Sequence, residues 1–196
     1  MQNALYKRRS IRKYSEREVS EYLIRQLIHA ATQAPSSKNR QPWRFVVVRS
    51  SSAKSEMIAA MKSGLEREAS SPSLPQSQHY LGGAVHTLKI MEAAPVTIFV
   101  INPSCRWNTL PTGMEEQFYR LADTQSIGAA IQNMLVTATA LELGTLWNCD
   151  IFFAYEEICQ WLETDEQVVA AISVGFPAED PMPRPRKSVD DVTEWL

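Results

Sequence analysis

The chain has 196 residues, 44% hydrophobic and 21% charged, and its 20 Lys plus Arg against 22 Asp plus Glu leave a net charge of −2. At that size about 70% of the unfolded surface can be buried in one core, so a single ordinary globular domain is expected rather than a disordered or fibrous chain. The charge balance argues against a nucleic-acid partner, no apolar run approaches the roughly 20 residues of a membrane span, and no apolar segment follows Lys7, Arg8 and Arg9 to make a secretory signal, so a cytoplasmic location is expected.

In chain order, Ser20 caps an amphipathic helix over residues 20–34, with Leu23, Ile24, Leu27, Ile28 and Ala31 at helical spacing until Pro35. Trp43–Val48 is short, apolar and β-rich, and predicts a central strand. A mixed amphipathic helix follows over 53–68, and Ser70–Gln78, with two prolines and four serines, reads as a flexible loop. His79–Ala93 predicts a helix and Val96–Ile101 a second buried strand. Between Thr124 and Leu143, Ile127, Ala130, Ile131, Met134, Leu135, Ala138 and Leu141 give the strongest helical pattern, closed by Gly144 as the residue past its end. That helix is apolar nearly all round, so it is buried against the rest of the domain or against an identical helix of a second subunit. A strand near Thr145–Trp147, a helix over Tyr155–Leu162 and a strand over Val168–Val174 complete the elements. Without strict βαβ alternation they predict an α+β fold, one domain over 1–196 with 176–196 as an extended arm. Four prolines open that arm, and its closing Trp195 and Leu196 need somewhere to dock.

Five basic residues, Lys7, Arg8, Arg9, Arg12 and Lys13, fall in seven positions without an acid, and Arg184, Arg186 and Lys187 gather near the other end. Together they suit a compact anion such as a phosphate, with Ser10 as a further donor, although terminal basic segments also occur as plain solvated faces. The turn Pro35-Ser36-Ser37-Lys38-Asn39-Arg40-Gln41-Pro42 sets hydroxyls and carboxamides between two stiff ends. These match the donor and acceptor edges of a planar heterocycle, or serve as an ordinary connection. No GxGxxG, GxxxxGK[ST] or GxSxG element occurs, which removes Rossmann, P-loop and nucleophile-elbow sites. His29, His79 and His86 lack ligand spacing, and Cys105, Cys149 and Cys159 are odd in number without a CxxC pair, so neither a metal site nor a disulfide framework is expected.

Arg8-Arg9-Ser10-Ile11-Arg12-Lys13-Tyr14, the Ala34–Trp43 turn, the long Ile127–Gly144 helix and Arg184-Pro185-Arg186-Lys187, in that order, resemble the FMN-dependent nitroreductase family over nearly the whole chain. The resemblance implies a nitroreductase-like central mixed or antiparallel sheet flanked by helices. It implies a homodimer with a domain-swapped tail and FMN at the subunit interface. Arg8, Arg9 and Ser10 then meet the FMN phosphate and ribityl chain, Arg184 and Arg186 complete the phosphate site, and Arg12 approaches the pyrimidine edge. Pro35, Ser36, Ser37 and Asn39 reach the same flavin from the partner subunit, and the backbone of Leu146, Trp147 and Asn148 lines the flavin face opposite the substrate. Thr87 and Lys89 are the candidates for the remaining pyrimidine contacts. Asn102–Tyr119, with Trp107, Phe118 and Tyr119, is either a substrate lid or ordinary packing. The implied activity is ping-pong reduction of a nitroaromatic, quinone or similar small acceptor by NADH or NADPH, with no catalytic side chain of its own. Another reductase, dehalogenase or flavin-fragmenting chemistry of the same fold, or a non-catalytic flavin-binding protein, is the alternative.

Overall fold

The apolar runs pair into one four-stranded sheet in the order β1 (Arg44–Val48), β2 (Val96–Arg106), β4 (Glu166–Gly175), β3 (Gly144–Asn148) in this computed structural model, which describes residues 2–196. Every neighbouring pair is antiparallel, so of the two sheet types expected the antiparallel one forms. Among the described residues six α-helices complete the α+β fold: α1 (Gln2–Lys7), α2 (Glu21–Thr32), α3 (Ser51–Ser70), α4 (Leu81–Ala93), α5 (Met114–Ala140) and α6 (Tyr155–Trp161).

The two-residue period of the strands sends alternate side chains to opposite layers. Val96, Ile98 and Val100 of β2, with Ala170, Ile172 and Val174 of β4, pack against α2 and α5. Phe99 and Ile101, with Val168 and Ala171, face α3, α4 and α6 around Met57, Met61, Met91 and Ile158. Each fully buried large side chain in these layers is worth about 1.5–3 kcal/mol of transfer free energy. β2 and β4 are the central strands. β1, read as central from its apolar run, is instead an edge strand; the run reflects partial cover on both faces, with only Val48 fully buried.

The long helix differs most from the sequence reading. α5 starts at Met114, ten residues before the expected Thr124, and its 27 residues span about 40 Å. Its first turns escaped notice because Met114, Phe118 and Leu121 are 71%, 60% and 54% exposed and supply no core-facing stripe. Asn102–Tyr119 is thus divided among the end of β2, a turn and the start of α5. The helix closes at Glu142, in the left-handed region at φ 61°, with the Leu143 N–H donating to the Ala138 carbonyl at 2.8 Å. Gly144 is therefore not the residue past the helix but the first of β3, where a Cβ would stand 2.8 Å from the Ile11 side chain.

The Ser70–Gln78 segment is not a loose loop. Fully buried Glu68 at the end of α3 accepts the Ser73 N–H at 2.9 Å, the Leu74 N–H at 2.7 Å and the Gln78 amide at 3.1 Å, and pairs with Arg67 at 3.0 Å. A 3₁₀ turn over Pro75–Tyr80 then leads into α4, which explains why that helix begins two residues after the expected His79. α1, a single short turn-and-a-half, carried no periodic signal.

Accessible surface is 11782 Å², about a quarter above the roughly 9,300 Å² of a compact monomer of this mass. Among the exposed apolar side chains are those at the start of α5 and, on the arm, Val189, Val192 and Trp195, which are 71%, 65% and 85% exposed. Among the described residues no helix is long and apolar enough to cross a membrane.

Candidate functional site

Beyond α1 the chain runs along the free edge of β3: Ser10 forms a parallel bridge with Thr145, and the Ile11 N–H donates to the Thr145 carbonyl at 2.9 Å. Ile11 is buried and anchors the segment while its neighbours stay outside. The start of the arm is zipped to the same segment by the Ser15 N–H to the Phe176 carbonyl and the Ala178 N–H to the Lys13 carbonyl, both at 2.9 Å. Glu179 adds a carboxylate that accepts the backbone N–H groups of Arg12 and Lys13. These bonds carry the late basic pair back to the early cluster, although more than 170 residues separate them in sequence.

Arg8, Arg9, Ser10, Arg12, Arg184 and Arg186 consequently line one cavity of about 460 Å³. Five guanidiniums share it, and no carboxylate is among its lining residues. They donate instead to backbone carbonyls: Arg9 to those of Tyr6 and Arg8, Arg12 to that of Ser10, Arg186 to those of Arg184 and Pro185. Burial, then the nearby Arg186 and Arg9 charges, lower the Arg8 pKa from its ordinary value. Like charges crowded on a wall that holds no carboxylate raise the free energy of the unliganded protein, and a multiply charged oxyanion relieves that cost. Arg12, expected at a ring edge, here belongs to the wall of the same cavity. Leu5, Tyr6 and Met182 supply an apolar side that sequence reasoning missed, because α1 was unseen.

β3 continues from Thr145 away from this cavity. Leu146 and Asn148 point inward, 7% and 2% exposed, whereas Trp147 is 37% exposed. The Asn148 amide nitrogen donates to Ser173 Oγ at 2.9 Å and its oxygen lacks a partner, so within one chain Trp147 is the residue of this stretch that reaches solvent. Thr87 is buried and donates to the Asp150 carboxylate just beyond β3; Lys89 is exposed.

The Pro35–Pro42 turn lies elsewhere. Pro35, Ser36 and Ser37 line a shallow cavity of about 380 Å³ with Ala122, Gln125, Ser126 and Ala129 of α5, and Asn39 is not in its wall. No lining residue is common to this cavity and the arginine cavity. Within one chain the two halves of the expected site are therefore not brought together. The turn is strained: Lys38, Asn39 and Gln41 have φ of 51°, 54° and 49°, a conformation costing a non-glycine residue about 1–2 kcal/mol. Arg40 holds it to α5 through Asp123 at 3.1 Å, a pairing the sequence did not reveal.

Of the possible lid residues, Trp107 packs edge-on against Tyr155 at 4.9 Å, Tyr119 lies beneath Arg40 and Lys38, and Phe118 is exposed. Cys105 and Cys159 are buried, which pushes the Cys159 thiol up to about 11 and keeps it protonated. Among the described residues no group of three or more His, Cys, Asp or Glu could hold a metal ion.

A family model described as Nitroreductase family matches residues 5–176. A relative from Methanothermobacter thermautotrophicus, provisionally named an NADH dehydrogenase/NAD(P)H nitroreductase, is 32% identical over 91% of this chain and 78% of its own length. Among solved structures, a BluB-like flavoprotein from Clostridium difficile superposes with a TM-score of 0.82 at 26% identity, covering 100% of this chain and 98% of that one. A provisionally assigned nitroreductase from Desulfovibrio desulfuricans, solved in complex with FMN, superposes with a TM-score of 0.75 at 27% identity, covering 100% and 95%.

Proposed function

Because the chain belongs to the nitroreductase family, and is thereby an FMN-dependent NAD(P)H oxidoreductase, we propose that it reduces nitroaromatics, quinones or similar small planar acceptors at a site shared by two copies. The observation that carries the siting of FMN is the five-arginine cavity without a lining carboxylate, beside the end of β3. Its donor set fits a phosphate monoester, which near neutral pH bears close to two negative charges and needs charged donors to offset lost hydration. Arg8, Arg9, Arg184 and Arg186 hold the phosphate, Ser10 donates to the adjoining chain, and Arg12 supplies fixed positive charge toward the ring. The stretch Leu146, Trp147 and Asn148, exposed at Trp147, would line one side of the ring. Pro35, Ser36, Ser37 and Asn39 come from the second copy, since in one chain that turn stands apart from the arginines.

When bound, FMN would supply the hydride chemistry, between NADH or NADPH and the acceptor, that no side chain here provides. The chain positions the donor and acceptor and excludes water. If β3 lines one side of the ring, a single open side would be left for both planar substrates, which would then occupy it in turn. Double-reciprocal plots of NAD(P)H against a nitroaromatic or quinone are expected to give parallel lines; intersecting lines would mean a ternary complex and overturn the shared-side arrangement. Anaerobic addition of NADH or NADPH to the purified yellow protein is expected to bleach its visible absorbance. Absence of flavin, or of bleaching by either nucleotide, overturns the assignment.

The second copy has a physical motive as well. Covering the apolar start of α5 and the exposed arm requires an interface of more than about 2,000 Å², the size of obligate dimers. Deleting residues 189–196 is expected to weaken the dimer in sedimentation at micromolar concentration, and a flavin-loaded monomer in the intact protein would contradict this reading.

A further inference from the structure

We propose that Arg40 and Asp123 form a clamp that holds the Ser36–Gln41 turn in its ligand-facing shape, so that both are positioning residues for flavin binding; the proposal rests on the reading of that turn as a flavin contact.

Three residues of this turn, Lys38, Asn39 and Gln41, lie in the left-handed region, which non-glycine residues abandon unless their surroundings over-determine them. Bonds inside the turn close it: the Asn39 N–H reaches the Ser36 carbonyl, the Arg40 N–H the Ser37 carbonyl, and the Gln41 N–H the Ser36 Oγ, each at 3.0 Å. They do not fix where it sits. Between its ends, which are held at buried Ala34 and Pro42, its attachment to the body of the fold is a short strip of α5, where Tyr119, Asp123 and Ser126 fall on one helical face. Ser126 Oγ accepts the Ser37 N–H at 3.4 Å, and Lys38 Nζ reaches the Tyr119 hydroxyl at 3.4 Å, both long. The Arg40 guanidinium lies 4.9 Å from the Tyr119 ring centre and donates to Asp123 Oδ2 at 3.1 Å. Among the described residues that is the one ion pair of the attachment.

Asp123 is an unusual anchor. Its side chain is 3% exposed, and Oδ1 has no hydrogen-bond partner. Burial raises its pKa although Arg40 opposes the rise, so the carboxylate is an uneconomic way to add stability. What a buried, directional pair does supply is geometry: moving Arg40 away would leave the Asp123 charge buried and alone, so the turn is held at one place and orientation. Ser36 and Ser37, four and three residues before the clamped Arg40 in the same turn, line the shallow cavity on α5.

The test uses the full-length protein stripped of flavin and then titrated with FMN and with riboflavin, in wild type, Asp123→Asn, Arg40→Gln, the double variant and the conservative Arg40→Lys. In the stripped protein, amide exchange at residues 36–41 is expected to speed up about ten- to a hundredfold in both single variants, while exchange in the sheet is unchanged. Affinity for FMN and for riboflavin is expected to fall by a common factor of about ten or more, because the turn meets the part the two ligands share. The double variant is expected to match the single ones, and Arg40→Lys to recover part of the loss. Unchanged exchange at 36–41 overturns the clamp. Faster exchange with undiminished affinity for both flavins overturns the positioning role. A wild-type protein that binds neither flavin refutes the proposed function instead, and the exchange measurement still decides the clamp.

Discussion

Replacing Arg8 and Arg186 together by alanine is expected to lower FMN affinity by about two to four powers of ten, enough to yield colourless protein at micromolar concentration. Each guanidinium bonded to a charged group contributes about 1.5–3 kcal/mol, and each 1.4 kcal/mol is a factor of ten in the dissociation constant. The sign of the effect on the stripped protein is opposite. Arg8 and Arg186 crowd one another, no carboxylate lines their cavity, and Arg186 donates only to neighbouring carbonyls. Their removal orphans no buried acid and relieves like-charge repulsion, so the melting temperature without flavin should stay level or rise. Riboflavin, which lacks the phosphate, should bind the variant and the wild type alike. Retention of full FMN, checked by absorbance after gel filtration and by fluorescence titration, would refute the phosphate assignment.

The second large effect concerns stability. Glu68→Ala is expected to destabilise the fold by about 2–4 kcal/mol, a drop of roughly 4–16 °C in melting temperature for a chain of this size. Glu68 is fully buried, and its two oxygens collect the Ser73 and Leu74 N–H groups, the Gln78 amide and Arg67. Alanine would leave those donors unsatisfied and free the Ser71–Tyr80 segment. Burial by itself would push the Glu68 carboxyl up, but the Ser73 and Leu74 N–H groups and Arg67 outweigh it and hold the carboxyl below its ordinary value. A carboxyl lowered in the folded state stabilises above its unfolded value, near pH 4, and that contribution fades as pH falls through the folded value. Wild-type stability should therefore drop more steeply below about pH 4 than that of Glu68→Gln. Glu116, also lowered, is present in both proteins and cancels in the difference, whereas Glu157 shares Arg67 with Glu68 and is raised by its charge, so in Glu68→Gln it is held lower still. Urea unfolding at pH 7 and pH 3 measures this, and parallel losses in the two proteins would contradict the role given to Glu68.

Local chemistry in the sequence determined much of this protein. The α2 cap at Ser20, the period of the Ile127–Ala138 face and the apolar runs of β2 and β4 each rest on neighbours a few residues away, and all appear where expected. The early arginines of the cavity, Arg8, Arg9 and Arg12, were also legible as a basic cluster, because five basic residues in seven positions are a local fact. Tertiary structure alone decided what depended on distant partners. Which strands lie at the edge follows from pairing order, not from hydrophobicity, so β1 read as central and is not. Gly144 looked like a helix stop until Ile11 was seen to need its missing side chain. Proline and serine around residue 73 signal a flexible loop only if no buried carboxylate gathers the backbone N–H groups, and Glu68 does. The Arg40–Asp123 pair joins residues 83 apart in sequence and is visible only once α5 passes beneath the turn. Periodicity and capping act over one or two helical turns, whereas edge position, close approach and buried charge pairing are properties of chain segments that meet only on folding.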